Sequence, residues 1–428
     1  MTADLRDKLS RRIDESRDEL VELARALIRI PTVNPPGDAY TACAELVGDR
    51  LSARGFAVGY ERGLGTPGDN ERYPRTNVIA RREGEGQGPC VHFNSHIDVV
   101  PAGLGWSLDP FAPEERAGRL YGRGASDMKG GLAASIVALE AILEEGIRFP
   151  GALELSGTVD EESGGFGGVG YLAARGFFSR PRVDYVIIPE PLNVDRVCIG
   201  HRGVWWAKIE THGRVAHGSM PFLGNCAVRH MGAVLERIEQ NLIPRLAQKH
   251  TRMPVVPEGA KRSTINLNSI HGGLGEEYEG LPSPLVPDSC RMVIDRRYLI
   301  EETPEEVRSE IVDLLETLKR ERPGFAYSLS EVLHFRPTLT DGDAPVVRAV
   351  SAEIERVLGR PAVQVASPGT YDQKHVVRTG HLKDCIAYGP GILDLAHQPD
   401  EYVLIEDMVS SAKVMAGAAL RLLGVIPL

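Results

Sequence analysis

Five segments of the chain carry carboxylates or imidazoles beside runs that read as strand ends. "NSHIDVVP" supplies His96 and Asp98, "GASDMKGG" Asp127, "TVDEESGG" Asp160, Glu161 and Glu162, "IIPEP" Glu190, and "DLAHQPDE" His397. Imidazole and carboxylate together suit a divalent cation. His96 and Asp98 are two apart, so on a strand both side chains leave on one side, and the Asp98 carboxylate can then accept the second ring N–H of His96 and fix its tautomer. Asp127 precedes Lys129, Gly130 and Gly131 at a strand-to-helix turn, where glycine lets the backbone bend and approach closely. Glu161 and Glu162 are adjacent and point apart, so one can bind metal while the other faces a water. Two cations ~3.5–4 Å apart that share a carboxylate lower a bound water's pKa from ~15.7 to about 7. A free carboxylate beside that water takes its proton and passes it to a leaving nitrogen. Singly, a His-x-Asp pair is most often a structural hydrogen bond, and a Glu-Glu pair a solvated turn. Five such segments in one chain, two of them beside Gly-rich turns, point to chemistry.

These segments need a scaffold of strands with loops at their ends. Residues 6–29 have helical periodicity up to the breaker run "PTVNPPGD", and Tyr40–Arg54 reads as a second amphipathic helix. Strand-like runs follow at 77–82, 90–100, 152–160 and 185–190, with helical stretches at 129–145 and 168–175 between them. That alternation predicts an α/β layered fold with a mixed central sheet flanked by helices. From about residue 203 the order becomes strand, helix, strand, strand, capped helix, which suggests a self-contained α+β sandwich. The predicted organisation is a catalytic domain in two parts, 1–203 and 330–428, with an α+β lid or dimerisation domain, 204–329, inserted. "GGLGEEYEGLPSP" at 272–284 reads as a mobile surface loop.

At 428 residues, two domains are the natural expectation. A net charge of −10 with no basic stripe argues against nucleic acid or an anionic membrane as partner. The six cysteines form no CxxC pair and lie mostly in apolar runs, so they read as buried free thiols of a reducing compartment. The charged N-terminal stretch and the lack of a ~20-residue apolar run fit a cytoplasmic protein.

In this order, "NSHIDVVP", "GRGASDMKGG", "VDEESGG", "PEP" and "AHQPDEYV" resemble the motifs of the dinuclear zinc amidohydrolases. That family includes acetylornithine deacetylase, succinyl-diaminopimelate desuccinylase, aminoacylase and glutamate carboxypeptidase. The resemblance implies two divalent ions, zinc by expectation, with cobalt or manganese suiting the same donors. It implies that His96 and Glu190 bind one ion, Glu162 and His397 the other, and that Asp127 bridges them. Asp98 would support His96, and Glu161 would be the general acid/base. In this family a glutamate at the "PEP" position goes with deacylases and carboxypeptidases, an aspartate with aminopeptidases.

The inserted segment "HGRVAHGSMPFLGNCAV" is similar to the lid stretch whose histidine polarises the scissile carbonyl, often across a homodimer. That role falls to His217, although Gly218 stands where serine is usual. "VPDSCRMVIDRRYL" resembles the strand carrying a substrate-carboxylate arginine, here Arg297, for which a salt bridge with Asp295 is the competing reading. Asn268 or Asn266 would orient substrate, or both are structural. "SPGTYDQKH" occupies the place of a Gly-Thr substrate loop but departs from the usual Thr-Asp-Ala-Arg continuation, with Thr370 and His375 as candidate contacts. The other histidines (His92, His201, His212, His230, His250, His271, His334 and His381) read as structural or exposed. Trp205 and Trp206 read as one core residue and one at a domain seam.

The expected function is hydrolysis of a C–N bond, most simply the amide of an N-acyl amino acid or related small carboxylate. An alternative is deamination of an amino-substituted aromatic acid, as by the nitroanthranilate-type aminohydrolase of the same family. A non-catalytic binding protein on this fold would lack ligands or Glu161, and neither is missing.

Overall fold

Cys90–His96 and Ala152–Thr158 are buried at every position, as expected of strands covered on both faces. In the computed structural model, which describes residues 2–273 and 284–428, they pair in parallel within a nine-stranded mixed sheet, Phe93 opposite Leu155 and His96 opposite Thr158. The order from one edge is Ala57–Arg62, Thr76–Glu83, Ala152–Thr158, Cys90–His96, Tyr185–Ile188, Cys385–Ala387, Arg196–His201 and Thr338–Leu339, with Val363–Ser367 also pairing with Arg196–His201. The four strands from Ala152–Thr158 to Cys385–Ala387 are mutually parallel, and antiparallel neighbours flank them on both sides. Their C-terminal ends therefore share one edge of the sheet, where ligands gather in such folds.

The helices Thr2–Glu15, Arg17–Arg29, Tyr40–Ala53, Gly130–Glu144, Pro345–Leu358 and Ile405–Leu422 contribute to the same core. Gly130–Glu144, "GGLAASIVALEAILE", is largely apolar and buried from Gly130 to Ile142, with Glu140 paired to Arg50, the signature of an internal helix. The single helix expected over 6–29 is broken at Ser16, whose Oγ donates to the Arg12 carbonyl at 2.9 Å. Serine competes with the helix for its own backbone in this way.

The chain forms two compact units: residues 1–200, 339–365 and 371–428, and residues 201–338 with 366–370. The second holds a four-stranded antiparallel sheet, in the order Thr264–Gly272, Ser289–Tyr298, Gly203–His212, Ala326–Phe335. Residues alternate between buried and half-buried along most of Gly203–His212. Trp205, Ala207 and Ile209 pack with Met231, Val234, Ile311 and Leu315 in that unit's own core. Helix Pro304–Glu321 starts from a capping box: Thr303 Oγ1 accepts the Glu306 N–H, and the Glu306 carboxylate accepts the Thr303 N–H. A boundary at 329 would cut strand Ala326–Phe335, which pairs with Gly203–His212 along its length and so stays in the second unit. This is the α/β layered fold with a second α+β unit that the patterning predicts.

The expected surface loop at 272–284 lies mostly outside the described residues. Among the described residues no helix is long and apolar enough to cross a membrane. All six cysteines are free, five of them buried.

Candidate metal centre

Three of the five ligand-bearing segments follow the sheet edge where the parallel strands end. His96 closes its strand. Asp160–Glu162 follow Thr158, and Glu190 comes two residues after Ile188. Asp127 and His397 arrive on loops fastened to each other: strand Tyr402–Leu404 pairs with Arg119–Tyr121, and the Gly122 N–H donates to the Glu401 carbonyl at 2.9 Å. Gly131 brings the Asp127 turn against the Glu190 segment, since a Cβ there would lie 2.2 Å from the Pro189 carbonyl oxygen.

The result is two ligand groups with one member in common. His96, Asp127 and Glu190 offer donor atoms within 4.8 Å of one another, and so do Asp127, Glu162 and His397. The two carboxylate oxygens of Asp127 are divided between them: Oδ1 lies 3.1 Å from His96 Nε2 and Oδ2 3.5 Å from His397 Nε2. His397 Nε2 is also 3.1 Å from Glu162 Oε2. Among the described residues, buried Glu190 Oε1 has no hydrogen-bond partner, which a native interior tolerates only where something else satisfies the atom.

Burial raises two of the three ligand carboxyls, while at Asp127 burial is outweighed by the bonds from His397 and His96, which hold it below its ordinary range. Burial pushes the Glu190 carboxyl well above its ordinary range, and the Asp127 charge adds to this. Burial likewise pushes Glu162 up to about 7, opposed by its bond to His397. Hydrogen bonding to Asp127 and Glu162 pushes His397 up to about 10. Burial pulls His96 down, but its bond to Asp127 and the charge of Glu190 outweigh that and hold it well above its ordinary value. Carboxylates crowded in a dry site hold protons unless a cation relieves them. The donor types, the shared carboxylate and the unpartnered oxygen all fit a pair of divalent ions.

Residues 92–421 match the sequence profile of peptidase family M20/M25/M40. The chain belongs to that family. It is 30% identical over 416 residues to succinyl-diaminopimelate desuccinylase of Thioalkalivibrio sulfidiphilus, covering 95% of this chain and 99% of that one. It is 28% identical over 440 residues to N-formyl-4-amino-5-aminomethyl-2-methylpyrimidine deformylase of Bacillus subtilis, covering 95% of each. Among solved structures, the dipeptidase Dug1p of Saccharomyces cerevisiae superposes with a TM-score of 0.80 at 17% identity, over 99% of both chains. Human carnosine dipeptidase 1 gives 0.76 at 19%, over 98% of this chain and 100% of that one. These two show the shared fold. As an M20 protein the chain is a metallo-hydrolase.

Around this M20 centre the supporting bonds differ from expectation at Asp98. His96 Nδ1 is 2.9 Å from the Asp98 backbone carbonyl and 3.6 Å from its carboxylate. The strand ends at His96, so the two-residue strand repeat no longer governs where the Asp98 side chain points. Its carboxylate instead accepts the backbone N–H groups of Glu161 and Glu162, at 3.2 and 3.1 Å, and the Asn34 side chain at 2.9 Å. The ring tautomer of His96 is still fixed, by a carbonyl, while Asp98 fixes the Glu161–Glu162 turn.

Sequence reasoning passed over Glu401, although it lies within "AHQPDE". Its carboxylate, buried, accepts the N–H groups of Gly124, Ser126 and Asp127 at 3.1, 2.8 and 3.0 Å and pairs with Arg123 at 2.6 Å. Lys374 was also passed over; its Nζ donates to Glu161 Oε1 at 2.8 Å.

His375 is not open to a substrate: it is buried, and its Nε2 donates to the Gly164 carbonyl at 2.7 Å. Arg297 grips Asp295 with two hydrogen bonds, at 2.7 and 3.0 Å, so the salt-bridge reading describes it. Arg296 faces inward to Glu302 and Glu310. Asn268 stands at a bulge in strand Thr264–Gly272, exposed, and its Oδ1 accepts from Asn266. Thr370 is half-buried. In the second unit His217 is exposed; the Ser219 N–H donates to its Nδ1 at 3.2 Å, which leaves the neutral ring's proton on Nε2.

Proposed function

We propose that the protein hydrolyses the amide of an N-acyl amino acid or a related small acylated carboxylate. The observation that carries this reading is Asp127, whose two oxygens belong to two ligand groups, with Glu161 beside Glu162 and outside both groups. His96 and Glu190 would hold one ion, Glu162 and His397 the other, and Asp127 both. Bound there, the ions would supply Lewis acidity and a water acidic enough to lose its proton near neutral pH. Glu161 accepts that proton and returns it to the leaving nitrogen. Asp98 keeps Glu161 and Glu162 pointing apart by holding both of their amides. His217, with its proton on Nε2, is the donor to the carbonyl oxygen, worth about 3–4 kcal/mol in such sites. The desuccinylase and the deformylase are both named for removing an acyl group, which supports acyl transfer to water over loss of an aromatic amine.

We read zinc as the resident ion, the cell interior as the location and a homodimer as the working form. The edge strand Thr264–Gly272 supports the last point, since an edge is a ready pairing surface. The test is a screen of N-acetyl, N-succinyl and N-formyl amino acids with added zinc, cobalt or manganese, read as released amine, beside amino-aromatic acids read as ammonia. Amine release from one acyl class supports the reading. Ammonia from an aromatic acid alone overturns it.

A further inference from the structure

One face of the central strand pair is polar from His92 to His96, although every residue on it is buried. On Cys90–His96 the sequence alternates His92, Asn94, His96; opposite them on Ala152–Thr158 stand Glu154, Ser156 and Thr158. These side chains bond in series. His92 Nδ1 lies 2.8 Å from Glu154 and its Nε2 2.7 Å from Ser156 Oγ. Ser156 and Thr158 donate to Asn94 Oδ1 at 2.7 and 3.3 Å. Asn94 Nδ2 then donates to Asp372 Oδ2 at 3.2 Å. Asp372 opens the short helix Gln373–Arg378, and Lys374 lies within it.

Lys374 Nζ sits 2.8 Å from Glu161 and 3.9 Å from Asp372 Oδ1. The lysine side chain is 2% exposed and that of Asp372 1%. The next residue, His375, donates to the Gly164 carbonyl at 2.7 Å, so successive residues grip both ends of the turn that carries Glu161 and Glu162. An ion pair this dry costs desolvation, and apolar packing would serve stability as well. Its place beside Glu161, next to the ligand Glu162 but in neither ligand group, suggests another use.

We propose that Lys374, carried on the short helix that Asp372 ties to Asn94 of the central strand, is a positioning residue that holds the Glu161 carboxylate where it works. The inference rests on Glu161 being the acid/base. A flexible glutamate samples several rotamers; a lysine fixed from behind removes that freedom before substrate arrives, and small misplacements of a reacting group are expensive.

The test uses the metal-loaded full chain and four variants: Lys374→Met, Lys374→Gln, Lys374→Arg and Glu161→Gln. Both neutral lysine variants should lose roughly 10–100-fold in kcat, with KM within about twofold and metal content unchanged. Lys374→Arg, which keeps the charge, should recover most of the rate. Unchanged kcat in the neutral variants overturns the proposal. So does a loss confined to KM, which would make Lys374 a substrate contact. So does an arginine variant as slow as the methionine one, or failure of both neutral variants to fold, either of which would make the lysine structural. Glu161→Gln separates the two claims: if it alone stays active, the acid/base assignment falls, and if it is inactive while the neutral lysine variants are not, only the positioning claim falls.

Discussion

Glu401 holds Asp127 by its backbone, with the Asp127 N–H donating to Glu401 Oε1 at 3.0 Å across 274 positions of sequence. The same carboxylate takes the amides of Gly124 and Ser126, so the loop that carries the shared ligand is hung from one buried side chain. Glu401→Gln turns one acceptor into a donor facing those N–H groups. We expect metal affinity to fall roughly 10–100-fold with the fold retained, measured by chelator competition and circular dichroism. Unchanged affinity would reduce Glu401 to a packing residue.

Asp98 makes a different prediction because its carboxylate serves the Glu161–Glu162 turn. Asp98→Ala leaves the amide N–H groups of Glu161 and Glu162 without their acceptor, at about 1–3 kcal/mol for each that stays buried, and leaves Asn34 only Ser163 Oγ. The variant should unfold at clearly lower denaturant and lose turnover. A variant as stable as the parent would mean that the turn holds itself.

Glu161→Ala removes the proposed acid/base and leaves the five ligands in place. Turnover should fall by roughly two to four orders of magnitude, with both ions still present by elemental analysis. Retained activity, or loss of metal, would show that Glu161 has another role.

His375 ties stability to pH. Burial, with the nearby Lys374 charge, lowers its pKa from 6.5 to about 3. Above the unfolded value neither state is protonated, and nothing is lost. Below it the unfolded chain takes up a proton that the folded chain refuses. Stability therefore falls as pH drops from 6.5 towards 3, by up to about 1.4 kcal/mol per pH unit from this group. His375→Gln keeps a donor to Gly164 and removes the proton uptake, so its denaturant midpoint should decline less between pH 6.5 and 5 than that of the parent. Equal slopes would contradict the burial argument.

The convergence of the candidate ligands was legible because most of them close a strand, follow one within a few residues or sit beside a Gly-rich turn, and those local signals survive without the fold. His96, Asp127, Glu162, Glu190 and His397 do lie together. What could not be read depends on distance or on where a strand stops. The bond from Lys374 to Glu161 spans 213 positions, and no periodicity encodes it. Asp98 was misjudged because its strand ends two residues early. For Arg297 the sequence offered both a substrate carboxylate and Asp295, two residues away on the same side, and only the structure shows that Asp295 holds it. The polar face formed by His92, Asn94 and Ser156 was invisible because it is built from two strands whose pairing only the sheet reveals.

The most direct measurement is metal stoichiometry by elemental analysis on protein purified without chelator, for the parent chain and for His96→Ala, His397→Ala and Asp127→Ala. A shared two-ion centre predicts about two divalent ions per chain for the parent, one retained in each histidine variant, and neither held tightly once Asp127 is gone. A parent that binds no ion, or an Asp127→Ala variant that keeps both, would contradict it.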